Sequence, residues 1–184
     1  VRVVFMGTPD LALPTLNALD ESGHDIVGVV TGLDKRVGRS KKLRPTPVKV
    51  WALDHNLPVF QPEDLSDAVF CKNLADLKPD ICVVVAFRIL PSQAICIAKN
   101  GCVNLHPSML PDLRGAAPVN WALIRGYTQT GISTFLIEKR VDAGGILLQK
   151  AVNIESEEDA GALSIRLMTS GAKLIVKTLD ALEK

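Results

Sequence analysis

The stretch Ile81-Cys82-Val83-Val84-Val85-Ala86 is apolar from end to end. A strand with one face in water alternates apolar and polar residues, so an unbroken run of this kind fits a central parallel strand covered on both faces. Gly101–His106 supplies a second such run. Working outward, Val1–Met6 and Asp25–Thr31 read as strands and Val59-Phe60 as a short one, with helices over Leu11–Leu19, Val48–His55 and near Asp67–Leu77 between them. Strand–helix alternation through residue 126 specifies an α/β fold: a doubly wound, mostly parallel sheet flanked by helices, with its ligand crevice at the carboxyl ends of the central strands. Gly131–Glu138 and Gly145–Ile154 add two strands, and Leu163, Leu167, Ile175, Leu179 and Leu182 trace one face of a closing helix.

The junction Gly7-Thr8-Pro9 suits a sharp strand-to-helix turn, because Gly tolerates tight backbone, Thr8 can cap and Pro9 fits a first helical position. Its free N–H groups could face a ligand. With 184 residues, 47% of them hydrophobic, and a formal net charge of +1, the composition fits one compact domain with a sizeable core. No apolar run approaches the roughly 20 residues of a membrane span, and none suits a secretory signal. Cys71, Cys82, Cys96 and Cys102 form no CxxC pair and have no histidine at zinc-ligand spacing, so reduced, buried thiols are expected and no metal.

A balanced charge argues against a nucleic-acid partner, but the cations cluster: Lys35, Arg36, Arg39, Lys41, Lys42, Arg44 and Lys49 lie between Asp34 and Lys49, interleaved with Gly, Ser and Pro. Lys35–Pro47 lacks periodicity and reads as an exposed loop.

The sharpest chemical constellation is Asn104-Leu105-His106-Pro107-Ser108. In a strand, residues two apart project to the same side, so the Asn104 amide and the His106 imidazole should sit together while Leu105 faces the core. An amide beside an imidazole at a strand's carboxyl end suits acyl transfer, with one donor for an oxyanion and one group to give or relay a proton. Asp142, in the turn Val141-Asp142-Ala143-Gly144-Gly145, could supply a third member. His24 falls at a predicted turn and His55 at a helix end, positions better suited to packing.

Asn104-x-His106, followed by Ser108-Met109-Leu110-Pro111 and Arg114-Gly115, resembles the signature of the folate-dependent formyltransferase family, which also carries an aspartate after the next strand, matching Asp142. The opening Phe5-Met6-Gly7-Thr8-Pro9-Asp10, the loop Gly38-Arg39-Ser40-Lys41-Lys42 with Pro45-Thr46-Pro47-Val48-Lys49, and Arg114-Gly115-Ala116-Ala117-Pro118 are similar to the branch that formylates an aminoacylated initiator tRNA. The likeness spans essentially the whole chain. It implies a Rossmann-like formyltransferase domain over residues 1–184, acting in the cytoplasm as a monomer. The second, β-barrel domain of full-length members of that branch is expected to be absent from this chain.

The resemblance implies transfer of the formyl group of 10-formyltetrahydrofolate to initiator methionyl-tRNA. Asn104 and His106 would stabilise the oxyanion, and Asp142 would hold the imidazole proton and position a water. Phe87, Arg88, Ile89 and Leu90 would border the pterin, with Ser108, Met109, Leu110, Pro111 and Asp142 also at the folate. Arg36, Arg39, Lys41, Lys42 and Arg44 would meet the tRNA. Phe87-Arg88 stands where the family has Tyr-Gly, and Met109 where it has Leu; neither touches the proposed catalytic atoms, and Arg88 has a salt-bridge reading besides. Two rivals remain at this point. The acceptor could be an amino sugar nucleotide, or the chain could be a non-catalytic folate- or nucleotide-binding module. The second is poorly supported, since Gly7-Thr8-Pro9-Asp10 is not GxGxxG and no P-loop lysine pattern exists.

Overall fold

The computed structural model describes residues 1–37 and 42–183. Seven strands form one sheet in the order β5 (Val59–Phe60), β2 (Asp25–Val30), β1 (Arg2–Gly7), β6 (Ile81–Val85), β7 (Cys102–His106), β8 (Gln129–Leu136), β9 (Ile146–Asn153). From β5 to β7 every pairing is parallel; β8 and β9 join antiparallel. The chain winds from β1 outward to β2 and β5, then returns to β6 on the other side of β1, so the strand order reverses between β1 and β6. At such a switch point the flanking connections leave to opposite faces and open a crevice.

The two-residue period sorts the core into two layers. Val3, Phe5, Ile81, Val83, Val85, Val103 and Leu105 pack with α1 (Leu13–Asp20), α2 (Pro47–Asp54) and α6 (Ala160–Leu182). Val4, Met6, Cys82, Val84 and Cys102 pack with α3 (Ala68–Asp76) and α4 (Ser92–Ile95). Strands covered on both sides need apolar residues at consecutive positions, which accounts for the unbroken run at 81–86. The expected helices start where side chains satisfy their free N–H groups: Thr46 Oγ1 accepts from the Lys49 N–H at 3.1 Å, Asp67 from Phe70 at 2.7 Å and Asp159 from Ala162 at 2.8 Å. In the closing helix Leu163, Leu167, Ile175 and Leu179 are buried, whereas Leu182, the last residue of the helix, is 40% exposed. No helix among the described residues is long and apolar enough to cross a membrane.

Two expectations are corrected. The basic segment is not simply loop: β3 (Lys35–Val37) and β4 (Lys42–Arg44) pair as an antiparallel ribbon, Lys35 opposite Arg44 and Arg36 opposite Leu43. Its base is tied down, because the Lys49 ammonium donates to Asp34 at 2.7 Å and the Gln61 amide donates to the same carboxylate at 2.7 Å. The thiols are free, but only Cys82 and Cys102 are buried; Cys96 is exposed and Cys71 half-buried.

The sheet's position under α6 rests on a close approach. A Cβ at Gly171 of α6 would lie 2.7 and 2.9 Å from the methyls of Leu105. Gly171→Val should therefore lower stability by about 1–3 kcal/mol through overpacking, read as a reduced urea midpoint at unchanged slope. A second expectation concerns acid. Hydrogen bonds from Lys49 and Gln61 hold the Asp34 carboxyl below its ordinary value. A depressed carboxylate contributes stability that is intact above its unfolded value and is lost as pH falls through the depressed one. The Gln61 side-chain amide resonances should accordingly hold steady above the ordinary carboxylate range and move only below it, and in Lys49→Met the change should begin at higher pH.

Candidate active site

At the carboxyl ends of β6 and β7 lies a cavity of about 620 Å³. Its floor is apolar, built from Val84, Leu90, Leu105, Phe135, Ile137 and Met168. Into it come Asn104 and His106, on the same side of β7 as the two-residue period requires, while Leu105 packs in the core layer under α6.

His106 is buried, with the edge of its ring toward Phe135 at a centroid separation of 6.5 Å. Its Nε2 lies 3.0 Å from the Leu113 carbonyl, and its Nδ1 lies 3.8 Å from Asp142 Oδ2. A carbonyl can only accept, so the proton sits on Nε2 in that bond, and Nδ1 is the nitrogen that faces the carboxylate. Asp142 is held in turn: Oδ2 accepts the Gly115 N–H at 2.8 Å, fastening the turn between β8 and β9 to the loop between β7 and α5 (Pro118–Ile124). Among the described residues the Asn104 amide has no hydrogen-bond partner although it lines the cavity. A half-buried amide with idle donors is what a site for a carbonyl or oxyanion offers.

Backbone strain concentrates here. Among the described residues six non-glycine positions have left-handed φ, and four of them surround the site: Ala86, Ala117 and Asp142 line the cavity, and Leu113 holds His106. Alanine and leucine are disfavoured in that region, and such residues cluster where geometry is imposed for function. Close packing supports the same turn. A Cβ on Gly144 would fall 1.7 Å from the Leu136 carbonyl oxygen, so no side chain fits there.

Phe87, Arg88, Ile89, Leu90 and Asp142 line the cavity. Arg88 is committed on one side, donating to the Pro62 carbonyl at 2.7 Å and the Glu63 carbonyl at 2.9 Å with its guanidinium 5.4 Å from the Phe87 ring centroid. It makes no salt bridge among the described residues; it clamps backbone. Ser108, Met109, Leu110 and Pro111 do not line the cavity. They form a supporting loop centred on buried Ser133, whose Oγ donates to the Ser108 carbonyl at 2.7 Å and accepts from the Leu110 N–H at 3.0 Å and the Gln149 amide at 2.8 Å. The Ser108 hydroxyl donates to the Asp112 carbonyl at 2.6 Å, and Met109 packs where a Cβ on Gly131 would clash. Arg36, Lys42 and Arg44 stand exposed on the ribbon, away from the cavity lining, while Arg39 and Lys41 lie outside the described residues.

Sequence reasoning missed the far wall: Leu11, the backbone of Ala116 and Ala117, Asn120, and Ser164 with Met168 one helical turn along α6. Pro118 at the start of α5 was the one available signal for a helix opening against the site. The other histidines are occupied elsewhere, His24 buried 3.3 Å from Asp180 and His55 exposed and stacked on Trp51. Among the described residues no group of His, Cys, Asp or Glu could hold a metal ion.

A family model described as "Formyl transferase" matches residues 1–179. The methionyl-tRNA formyltransferases of Alkaliphilus oremlandii and Pelotomaculum thermopropionicum are 46% and 48% identical to this chain over 100% and 98% of its length. Those alignments cover 59% and 58% of the relatives, so the chain spans under two thirds of the length of the curated proteins it matches. Phosphoribosylglycinamide formyltransferases from Bacillus halodurans and Streptococcus pneumoniae superpose with a TM-score of 0.81 each, at 20% and 17% identity. These superpositions cover 99% and 100% of this chain and 95% and 99% of those chains, and show a shared fold.

Ser133→Ala should leave the Ser108 carbonyl and Leu110 N–H buried without their shared partner, at about 1–3 kcal/mol each before water compensates. A lowered urea midpoint together with shifted His106 ring resonances is expected; a stability loss with the His106 signals unmoved would show that this loop does not position the site.

Proposed function

Because the chain belongs to the formyl transferase family, we propose that it transfers the formyl group of 10-formyltetrahydrofolate to the α-amino group of initiator methionyl-tRNA. The observation that carries the reading is the convergence, at one cavity beside the strand switch point, of an amide without a partner, a buried imidazole and a carboxylate facing it. The acceptor is inferred from the names of relatives 46–48% identical and from the basic ribbon. In that ribbon Lys35 stands directly opposite Arg44. Like charges in cross-strand register repel, so a polyanion laid along the ribbon relieves a cost already present in the free protein. The same reading has the chain act as a monomer in the cytoplasm.

The cavity suits the formyl donor on its own terms: its apolar floor accepts a flat ring, and Asn104, His106 and Asp142 bring polar groups to its wall. When bound, the folate supplies an acyl group on nitrogen, ready for transfer to an amine. Phe87, Ile89, Leu90 and Ile137 would enclose the ring and exclude water. The Asn104 amide would donate to the carbonyl oxygen as negative charge develops there, and His106 would be the second donor once its Nε2–H turns from the Leu113 carbonyl to that oxygen. Asp142 has two duties. Its carboxylate holds the imidazole in orientation, and it accepts the proton that the attacking amine must lose, directly or through a water, for delivery to the departing nitrogen. The 3.8 Å separation of Asp142 from His106 leaves room for tightening as substrate enters.

The test is formyl transfer from 10-formyltetrahydrofolate to methionyl initiator tRNA. The unaltered chain should be active, Asn104→Ala should lose about 10²–10³ in kcat, and His106→Ala and Asp142→Asn should lose at least as much. Transfer surviving in His106→Ala within tenfold would overturn the roles assigned. Arg36→Glu with Lys42→Glu should weaken tRNA use and flatten its salt dependence; an unchanged salt slope would favour a small acceptor such as an amino sugar nucleotide.

A further inference from the structure

Between the ribbon and the cavity lies a groove of about 710 Å³ that the mechanism does not use. Arg44 of β4, Pro45 and Pro47 form one side; Asp10 and Leu13 form another; Val50, Trp51 and Asp54 of α2 form its floor. The groove and the catalytic cavity share a wall, since Leu11, between Asp10 and Leu13, lines the cavity. The groove thus adjoins the ribbon at Arg44 and approaches the cavity at Asp10 and Leu13, where a strand of nucleotides reaching from one to the other could lie.

Trp51 is held there as a fixed platform. Its indole N–H donates to Asn17 Oδ1 at 2.7 Å, and the His55 ring stacks on it at 3.8 Å with an interplanar angle of 13°. His55 is itself fixed, with Nδ1 2.7 Å from the Trp51 carbonyl and Nε2 3.7 Å from Asp20. An indole so restrained, half-exposed and lining a groove, offers a rigid apolar plane at little further entropic cost. Around it stand one guanidinium, Arg44, which suits a phosphate, and two exposed carboxylates, Asp10 and Asp54. Carboxylates repel a phosphate backbone but accept hydrogen bonds from exocyclic amino groups, as when Asp or Glu accepts from cytosine N4. One cation for a phosphate, one aromatic plane for a base and acceptors at its rim match an unpaired nucleotide whose base carries an amino group.

We propose that this groove seats one unpaired, amino-bearing base of the acceptor's single-stranded 3′ end, stacked against Trp51 with its phosphate at Arg44, so that Trp51 is a specificity residue for a nucleic-acid acceptor. The proposal rests on the reading of the acceptor as an aminoacylated tRNA. Stacking is sequence-tolerant in strength, so the rim carboxylates, not the indole, would set the preference for cytosine or adenine over uracil.

The test uses the 184-residue chain with Trp121→Phe, which leaves Trp51 as its one tryptophan. Titration with the single-stranded trinucleotide cytidine-cytidine-adenosine should quench Trp51 fluorescence, and the same backbone without bases should not. Trp51→Ala should raise KM for methionyl initiator tRNA about 5- to 100-fold, the range for loss of one stacked base, with kcat within twofold, and Trp51→Phe should recover most of it. Quenching that is absent, or equal for the abasic strand, would overturn the proposal. So would an unchanged KM in Trp51→Ala when the parent chain is active, with the acceptor reading intact. Base-dependent quenching in a chain that formylates no tRNA would leave the groove standing and overturn the acceptor reading instead.

Discussion

The site depends on how β7 is seated. Leu105 presses against the bare backbone of Gly171 in α6, and the pleat then turns Asn104 and His106 to the other side of the strand. A strand's alternation is rigid, so one apolar contact fixes the direction of two polar side chains that it never touches. β7 is also the last parallel strand: β6 pairs with it in one sense and β8 in the other. β8 therefore ends opposite Val103, toward the amino end of β7, and the turn that follows it folds back along the strand to bring Asp142 within 3.8 Å of His106.

Two networks then hold the loops. Ser133, in register with His106, ties Leu110 and Ser108 beneath the site through a hydroxyl with every hydrogen-bonding capacity used. Asp142 ties the opposite side through the Gly115 N–H. The backbone takes left-handed conformations at Leu113, between these anchors, and at Ala117, just beyond the second. The cavity is therefore shaped from its rim inward, while its floor is ordinary core.

Much of this was legible in the sequence because it follows from periods. The unbroken run at 81–86, the helix spacing in α6 and the Asn104-Leu105-His106 alternation each carry a geometry that tertiary packing did not override. What the sequence left unread has a common cause. The pairing of Lys35–Val37 with Lys42–Arg44 uses residues with no strand alternation, and its base is tied by Lys49 and Gln61 to Asp34. The supporting role of Ser108–Pro111 depends on Ser133, which is 22 or more residues away along the chain. The clamp of Arg88 on the carbonyls of Pro62 and Glu63 is a contact between segments that no local pattern joins. Resemblance named the motifs, but it could not separate residues that touch the cavity from residues that brace it.

Asp142 carries three demands at once: a left-handed backbone, a hydrogen bond to a neighbouring loop and a charge facing the imidazole. Asparagine meets the first two and fails the third; glycine meets only the first; glutamate keeps the charge and loses the ease with the backbone. No single replacement satisfies every demand at this position. The far wall, by contrast, is made of Leu11, Asn120, Ser164 and Met168, side chains under none of these three demands. A change in that wall can therefore alter the shape the cavity offers an incoming molecule while the three-way constraint on Asp142 stays untouched.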